Sequence, residues 1–212
     1  MRKIYLLILG IIFLSFLVAF FFYPRVPLKM VSHWNQRGEP DGYISRFWGI
    51  FLLPFLNVFL FLLFIFIPKI DPLKKNIEKF RYYFDIFILF FLLFLFYLYL
   101  LTITWNLGWR FDIRQVLAPA FFLLFFYCGI LLEKSKRNWF IGIRTPWTLS
   151  NDKVWARTHK LGAFLFKLGG IFMLFGVFFP NIFWLTMIAF LIFVLLFPII
   201  FSYFEFQKLS KK

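Results

Sequence analysis

The imidazole and thiol groups, the usual near-neutral bases, nucleophiles and soft metal ligands, are few and far apart: His33, His159 and Cys128. One cysteine excludes an intramolecular disulfide and a cysteine-based zinc site. Cys128 also lies within an apolar run, where a thiol behaves as a small hydrophobe. His33 has no second His or Cys near it in sequence, so a hydrogen-bonding role is expected for it rather than metal ligation. The chain contains no HExxH and no GxSxG, and no aspartate pair lies in its apolar runs. No catalytic residue, cofactor or metal is expected.

Polar residues in a readable pattern are confined to two stretches. In 24–46, Asn35 to Gly38 suits a type I turn with Gly at its last position. Pro40-Asp41-Gly42 is a second turn signal, and Lys29–Trp34 between Pro27 and the first turn reads as a short strand. In 138–159, Trp139, Trp147 and Trp155 alternate with basic residues, a composition suited to the headgroup layer. Pro146 pushes Thr145 toward extended or turning backbone. Ser150 or Asn151 can cap a new helix with Asp152 in its first turn. That helix carries Trp155 and His159 at i, i+4 and runs toward the next apolar run.

What must position these stretches is a set of membrane helices. Of the 212 residues, 63% are hydrophobic and mean hydropathy is +0.85, against about 45–50% apolar in soluble domains. A chain this short has too much surface to hide so much apolar area from water. Six runs approach the roughly 20 residues that a bilayer core requires: Ile4–Tyr23, Phe47–Ile67, Ile86–Trp105, Val116–Leu132, Leu161–Phe179 and Ile182–Tyr203. Only the fifth contains a charge, Lys167. The fold class is therefore all-α, integral membrane, with six transmembrane helices. Three blocks follow: 1–82 with the loop 24–46, 83–132, and 133–212.

The net charge of +15 does not point to nucleic acid, because the charges cluster between apolar runs. Lys and Arg number seventeen on the side holding the termini, the second and the fourth loops, and six on the other. This bias predicts both termini in the cytoplasm (N-in/C-in) and places 24–46 outside and 138–159 inside. Within the runs, Gly162, Gly169 and Gly176 recur every seven residues and predict a helix–helix seam, unless they reflect the glycine enrichment of membrane helices. Lys167 is placed to snorkel toward the cytoplasmic interface, the alternative being a buried functional cation. Asn57, near mid-membrane, is expected to bond across helices or line a site.

Two motifs carry a resemblance. His33-Trp34-Asn35 followed by Gly38, Pro40, Asp41, Gly42 and Tyr43 resembles the extracytoplasmic motif of a bacterial membrane domain of otherwise unknown function. Gly142-Ile143-Arg144-Thr145-Pro146-Trp147-Thr148-Leu149, then Asn151, Asp152, Val154 and Trp155, looks like the signature of the SdpI family, immunity proteins against a secreted peptide toxin, the sporulation-delaying protein. The resemblance implies a multi-pass protein of the bacterial cell membrane. It implies a peptide toxin as outer partner, and a cytosolic autorepressor (a helix-turn-helix protein) held at the membrane as inner partner, besides membrane lipids. No direct contact with nucleic acid is expected, for the charge clustering given above. Outer contacts are expected at His33, Trp34, Asn35, Gly38 and Asp41, and inner contacts at Gly142, Arg144, Thr145, Pro146, Trp147, Asn151, Asp152 and Trp155. The competing class is a small-solute or ion transporter or channel, because the two loops follow the first helix of each three-helix half and lie on opposite sides.

Overall fold

The structure, a computed structural model, describes residues 2–211. Lys212, counted above with the basic tail, lies outside the described residues. Helices α1 (Arg2–Phe22), α2 (Arg46–Ile70), α4 (Arg81–Asn106) and α5 (Ile113–Lys134) form the first four spans. The fifth is α7 (Asp152–Met173) continued by α8 (Phe175–Phe178), and the sixth is α9 (Phe183–Ser210). Each is long and apolar enough to cross a bilayer, since about 20 residues rising about 1.5 Å apiece span roughly 30 Å. Short helices α3 (Lys74–Glu78) and α6 (Pro146–Ser150) lie in the connections. The only sheet among the described residues is a hairpin of β1 (Lys29–Trp34) and β2 (Pro40–Ser45).

Helices α1, α2 and α4 form one bundle and α5, α7 and α9 a second, joined along α4 and α5. Phenylalanine fills both. Phe64 meets the rings of Phe84, Phe87 and Phe91 in edge-on geometry, and Phe125 packs on Phe166 and Phe190. Leu6, Phe13, Phe20, Leu185 and Leu195 point outward and are exposed, which suits lipid and not water. Pro54, Pro119 and Pro198 stand inside spans, as membrane helices tolerate.

The heptad glycines behave differently from the expected seam. Gly169 and Gly176 accept the rings of Phe190 and Phe183, and Gly162 accepts the Ile143 side chain. The close backbone approach lies instead at Gly129 and Gly170. A Cβ on Gly129 would stand 2.7 Å from Ala163 O, and one on Gly170 3.0 Å from Phe122 O. The α5–α7 interface is thus the tightest seam. Lys167 ion-pairs with Glu133 of α5. Asn57 is fully buried, and its amide has no protein partner among the described residues. A hydrogen bond from it across the helices, one of the two roles expected, is absent there.

The strand expected at Lys29–Trp34 is β1. Pro40-Asp41-Gly42, expected to turn, instead opens β2. Proline is accepted at the first residue of a strand, and Gly42 pairs with His33 where the register slips. A Cβ on Gly42 would stand 2.7 Å from His33 Cβ, so glycine here is what lets the strands close. The reversal is made entirely by Asn35–Glu39. Gly38 N donates to Asn35 O (2.9 Å) and Asn35 N to Glu39 O (2.9 Å), with Gly38 at φ +80°, a type I turn followed by a left-handed bulge residue. Asn35 Oδ1 also accepts from the amides of Arg37 (2.8 Å) and Glu39 (3.0 Å).

Candidate functional site

Two polar sites occupy opposite ends of the bundle. At one end the hairpin is docked onto the C-terminus of α4. Val31 N donates to Asn106 Oδ1 (2.8 Å) and Asn106 Nδ2 to Val31 O (3.0 Å), so the side-chain amide pairs with β1 as a strand would. Trp34 packs edge-on against Trp105 at 5.6 Å, and Met30 is buried against Gly49. Arg114 binds Asp112 through two nitrogens (2.9 and 2.7 Å) and reaches Asn181 Oδ1 at 3.0 Å. It thereby links the loop after α4 to the turn before α9. The Arg114 side chain holds the Asp112 carboxyl below the usual carboxylate range. Among the residues exposed at this end is His33, 70% exposed, with Nδ1 2.5 Å from Asp41 Oδ1. Trp34, Asn35 and Gly38 are half-buried.

Asn106→Ala is expected to remove two hydrogen bonds to Val31. At about 1 kcal/mol each, the loss should speed Val31 amide exchange by at least about tenfold. An unchanged exchange rate would mean that Asn106 does not hold the hairpin.

At the other end, residues 135–151 fold into a self-bonded loop. Asn138, fully buried, accepts from the amides of Phe140 (2.9 Å) and Ile141 (2.6 Å) and donates to the carbonyls of Lys136 (2.8 Å) and Ile141 (2.9 Å). Asp71, at the end of α2, accepts from Trp139 N (2.8 Å) and Leu73 N (2.6 Å). Thr145 takes extended backbone before Pro146, as expected, and its side chain caps α6. Oγ1 accepts from Thr148 N (3.1 Å), and Thr148 Oγ1 accepts from Thr145 N (2.8 Å), a reciprocal cap. Thr145 Oγ1 is also 3.0 Å from Ser202 Oγ of α9. Asn151 caps α7 through the amides of Lys153 and Val154. Arg137 Nη1 donates to Leu149 O (2.8 Å), and its Nε lies 2.8 Å from Asp152 Oδ1 as an ion pair without hydrogen-bond alignment.

Trp155 and His159 share one face of α7 and stack at 3.9 Å. Ile143 N donates to His159 Nε2 (3.0 Å), so that nitrogen carries no proton. Nδ1, 2.9 Å from Trp155 O, must therefore donate. The two bonds define a neutral, Nδ1-protonated imidazole. Gly142, at φ +119°, lies against its Nε2.

Comparison with known proteins places these features. Residues 134–202, from the loop to most of α9, match the model of the SdpI/YfhL protein family. This segment is similar to that family. Residues 10–58, spanning the hairpin, match a domain of unknown function, DUF1648. Across its length the chain is 25% identical to Immunity protein SdpI of Bacillus subtilis (strain 168), over 201 residues and 94% of each chain. No solved structure matches.

Within the SdpI/YfhL segment the signature residues divide by exposure. Thr145 and Trp155 are buried, Gly142, Trp147 and Asn151 half-buried, and Arg144, Pro146 and Asp152 exposed. Arg144 Nη1 donates to Trp139 O (2.7 Å), and Trp147 meets Tyr203 of α9 edge-on at 5.2 Å. The anchors Asp71, Asn76 (to Arg137 O, 2.9 Å) and Asn138 went unread in the sequence. So did a buried cluster beside the loop end. Asp85 Oδ1 accepts from Arg81 Nε (2.7 Å) and Tyr5 OH (2.9 Å), and Arg81 Nη2 donates to Tyr5 OH (2.5 Å). The chain's own signal for it was an Arg at i−4 from an Asp at the edge of an apolar run.

Proposed function

We propose that this chain is a multi-pass immunity and signalling protein of the bacterial cell membrane. The hairpin end faces outward and meets a secreted peptide toxin. The basic loop end lies in the cytoplasm and holds a helix-turn-helix repressor at the membrane. The observation that carries this reading is the similarity to an immunity protein over 94% of both chains, with two matched segments, one holding the hairpin and the other the loop at the opposite end of the bundle. The Lys and Arg bias supports the orientation. His33, Trp34 and Asn35 offer the outer contacts. Arg144, Pro146 and Trp147 offer the inner ones, while Thr145 and Trp155 hold the loop in shape.

The test is survival of a toxin-sensitive bacterium expressing the chain and challenged with the toxin. Arg144→Ala should impair protection or repressor recruitment at least about tenfold, the loss expected when a charged contact worth about 1.5–3 kcal/mol is removed. The amount of protein in the membrane should stay normal. Undiminished protection and recruitment in that variant would count against the inner-loop role.

A further inference from the structure

We propose that the cleft between α2 and α9 holds an acyl chain of an anionic phospholipid whose phosphate is bound by Arg144. The cleft encloses about 460 Å³, within the roughly 300–1,000 Å³ of small-molecule sites. Phe64 of α2, Phe87 of α4, Leu131 of α5, Phe166 of α7 and Val194 of α9 form its apolar walls. Phe140–Thr145 close its loop end. Leu195 and Ile199 line it while standing 63% and 43% exposed, so the space is continuous with the lipid-facing surface. Hydrocarbon is the only solvent at that depth, and an apolar space open to it fills with acyl chain.

The charge at the mouth specifies the headgroup. Arg144 is the one charged residue lining the cleft. Among the described residues it has no carboxylate partner, whereas Arg81, Arg137, Arg157, Lys167 and Lys208 each have one. Its position is built: Nη1 is held by Trp139 O, and Trp139 N is held in turn by Asp71. One hydrogen bond leaves most of the guanidinium donors for a phosphate, which the planar fork suits. A basic pocket between membrane helices, at the end richest in Lys and Arg, favours an anionic lipid.

This inference does not rest on the immunity reading. Lipid retention is read on the purified protein and toxin protection in cells, so either can fail alone. The experiment is native mass spectrometry of the full chain in mild detergent, supplied with phosphatidylglycerol and phosphatidylcholine of identical acyl chains. Wild type should retain one phosphatidylglycerol with about fivefold preference, the worth of one arginine near an anionic lipid. Arg144→Gln should abolish the preference and leave phosphatidylcholine retention unchanged. Leu195→Trp, which fills the cleft from an exposed position, should lower retention of both. Equal retention of the two lipids by wild type, or a preference surviving Arg144→Gln, overturns the proposal. So does unchanged retention in a Leu195→Trp protein of wild-type helical content. Should Leu195→Trp fail to fold, Arg144→Gln decides alone.

Discussion

Asp85→Ala is expected to destabilise the protein by on the order of 3 kcal/mol, because it strands a guanidinium inside the first bundle. The Asp85 side chain is fully buried and that of Arg81 only 14% exposed. The cluster joins helices distant in sequence, since Tyr5 belongs to α1 and Arg81 and Asp85 to α4. Removing the carboxylate therefore leaves a largely buried charge with only the exposed Glu78, 3.9 Å away, for a counterion, and a phenol without its acceptor. Tyr5→Phe keeps the ion pair and should cost only about 1 kcal/mol. Unfolding of the purified protein by a denaturing detergent measures both. A loss below about 0.5 kcal/mol for Asp85→Ala, the size of an ordinary surface substitution, would mean that the cluster does not pin α1 to α4.

Gly142→Ala is expected to release the signature loop from α7. The backbone at Gly142 has φ +119°, a region that costs a residue with a Cβ about 1–3 kcal/mol. The added methyl would also overlap His159 Nε2 and stand 3.3 Å from the Trp155 ring. The Ile143–His159 hydrogen bond (3.0 Å) cannot persist beside it. Together these losses amount to about 3 kcal/mol or more, local to residues 138–148. Faster amide exchange at Ile143, with the exchange of α4 unchanged, is the expected signature. His159→Ala in the same chain removes the overlap and leaves the backbone strain, so the double variant should lose less than the sum of the two singles. Strict additivity would show that the two residues do not meet.

Most of what was legible in the sequence is governed by near neighbours. The six spans follow from run length, the Asn35–Gly38 reversal from turn chemistry, and the start of α7 from Asn151 and Asp152. Pro40-Asp41-Gly42 misled because its turn propensity is local, whereas the pairing of Gly42 with His33 depends on the opposing strand. The heptad of glycines on the fifth span, Gly162 and Gly169 of α7 and Gly176 of α8, showed small residues but not what would fill the space beside them. Only the arrival of Phe183 and Phe190 from α9 distinguishes a side-chain socket from a backbone seam. Helix α6 starts at Thr145-Pro146-Trp147-Thr148, a cap followed by proline at the first helical position, a signal too short to be read as a helix. Extended backbone at Thr145 was legible, and the single turn beyond it was not. The loop's outline could be read, but its anchors could not. Asp71 meets Trp139 across 68 residues and Thr145 meets Ser202 across 57, separations at which no local pattern survives.

In the proposed orientation the hairpin 29–45 and the loop 135–151 stand on opposite sides of the bilayer, the hairpin outside and the loop inside. Both test positions, His33 and Ser150, are exposed. In a Cys128→Ala background, His33→Cys and Ser150→Cys are reacted with a membrane-impermeant maleimide, in intact cells and after permeabilisation. Labelling of position 33 is expected in intact cells, and of position 150 only once the membrane is opened. Labelling of both positions in intact cells, or of position 150 alone, would contradict it.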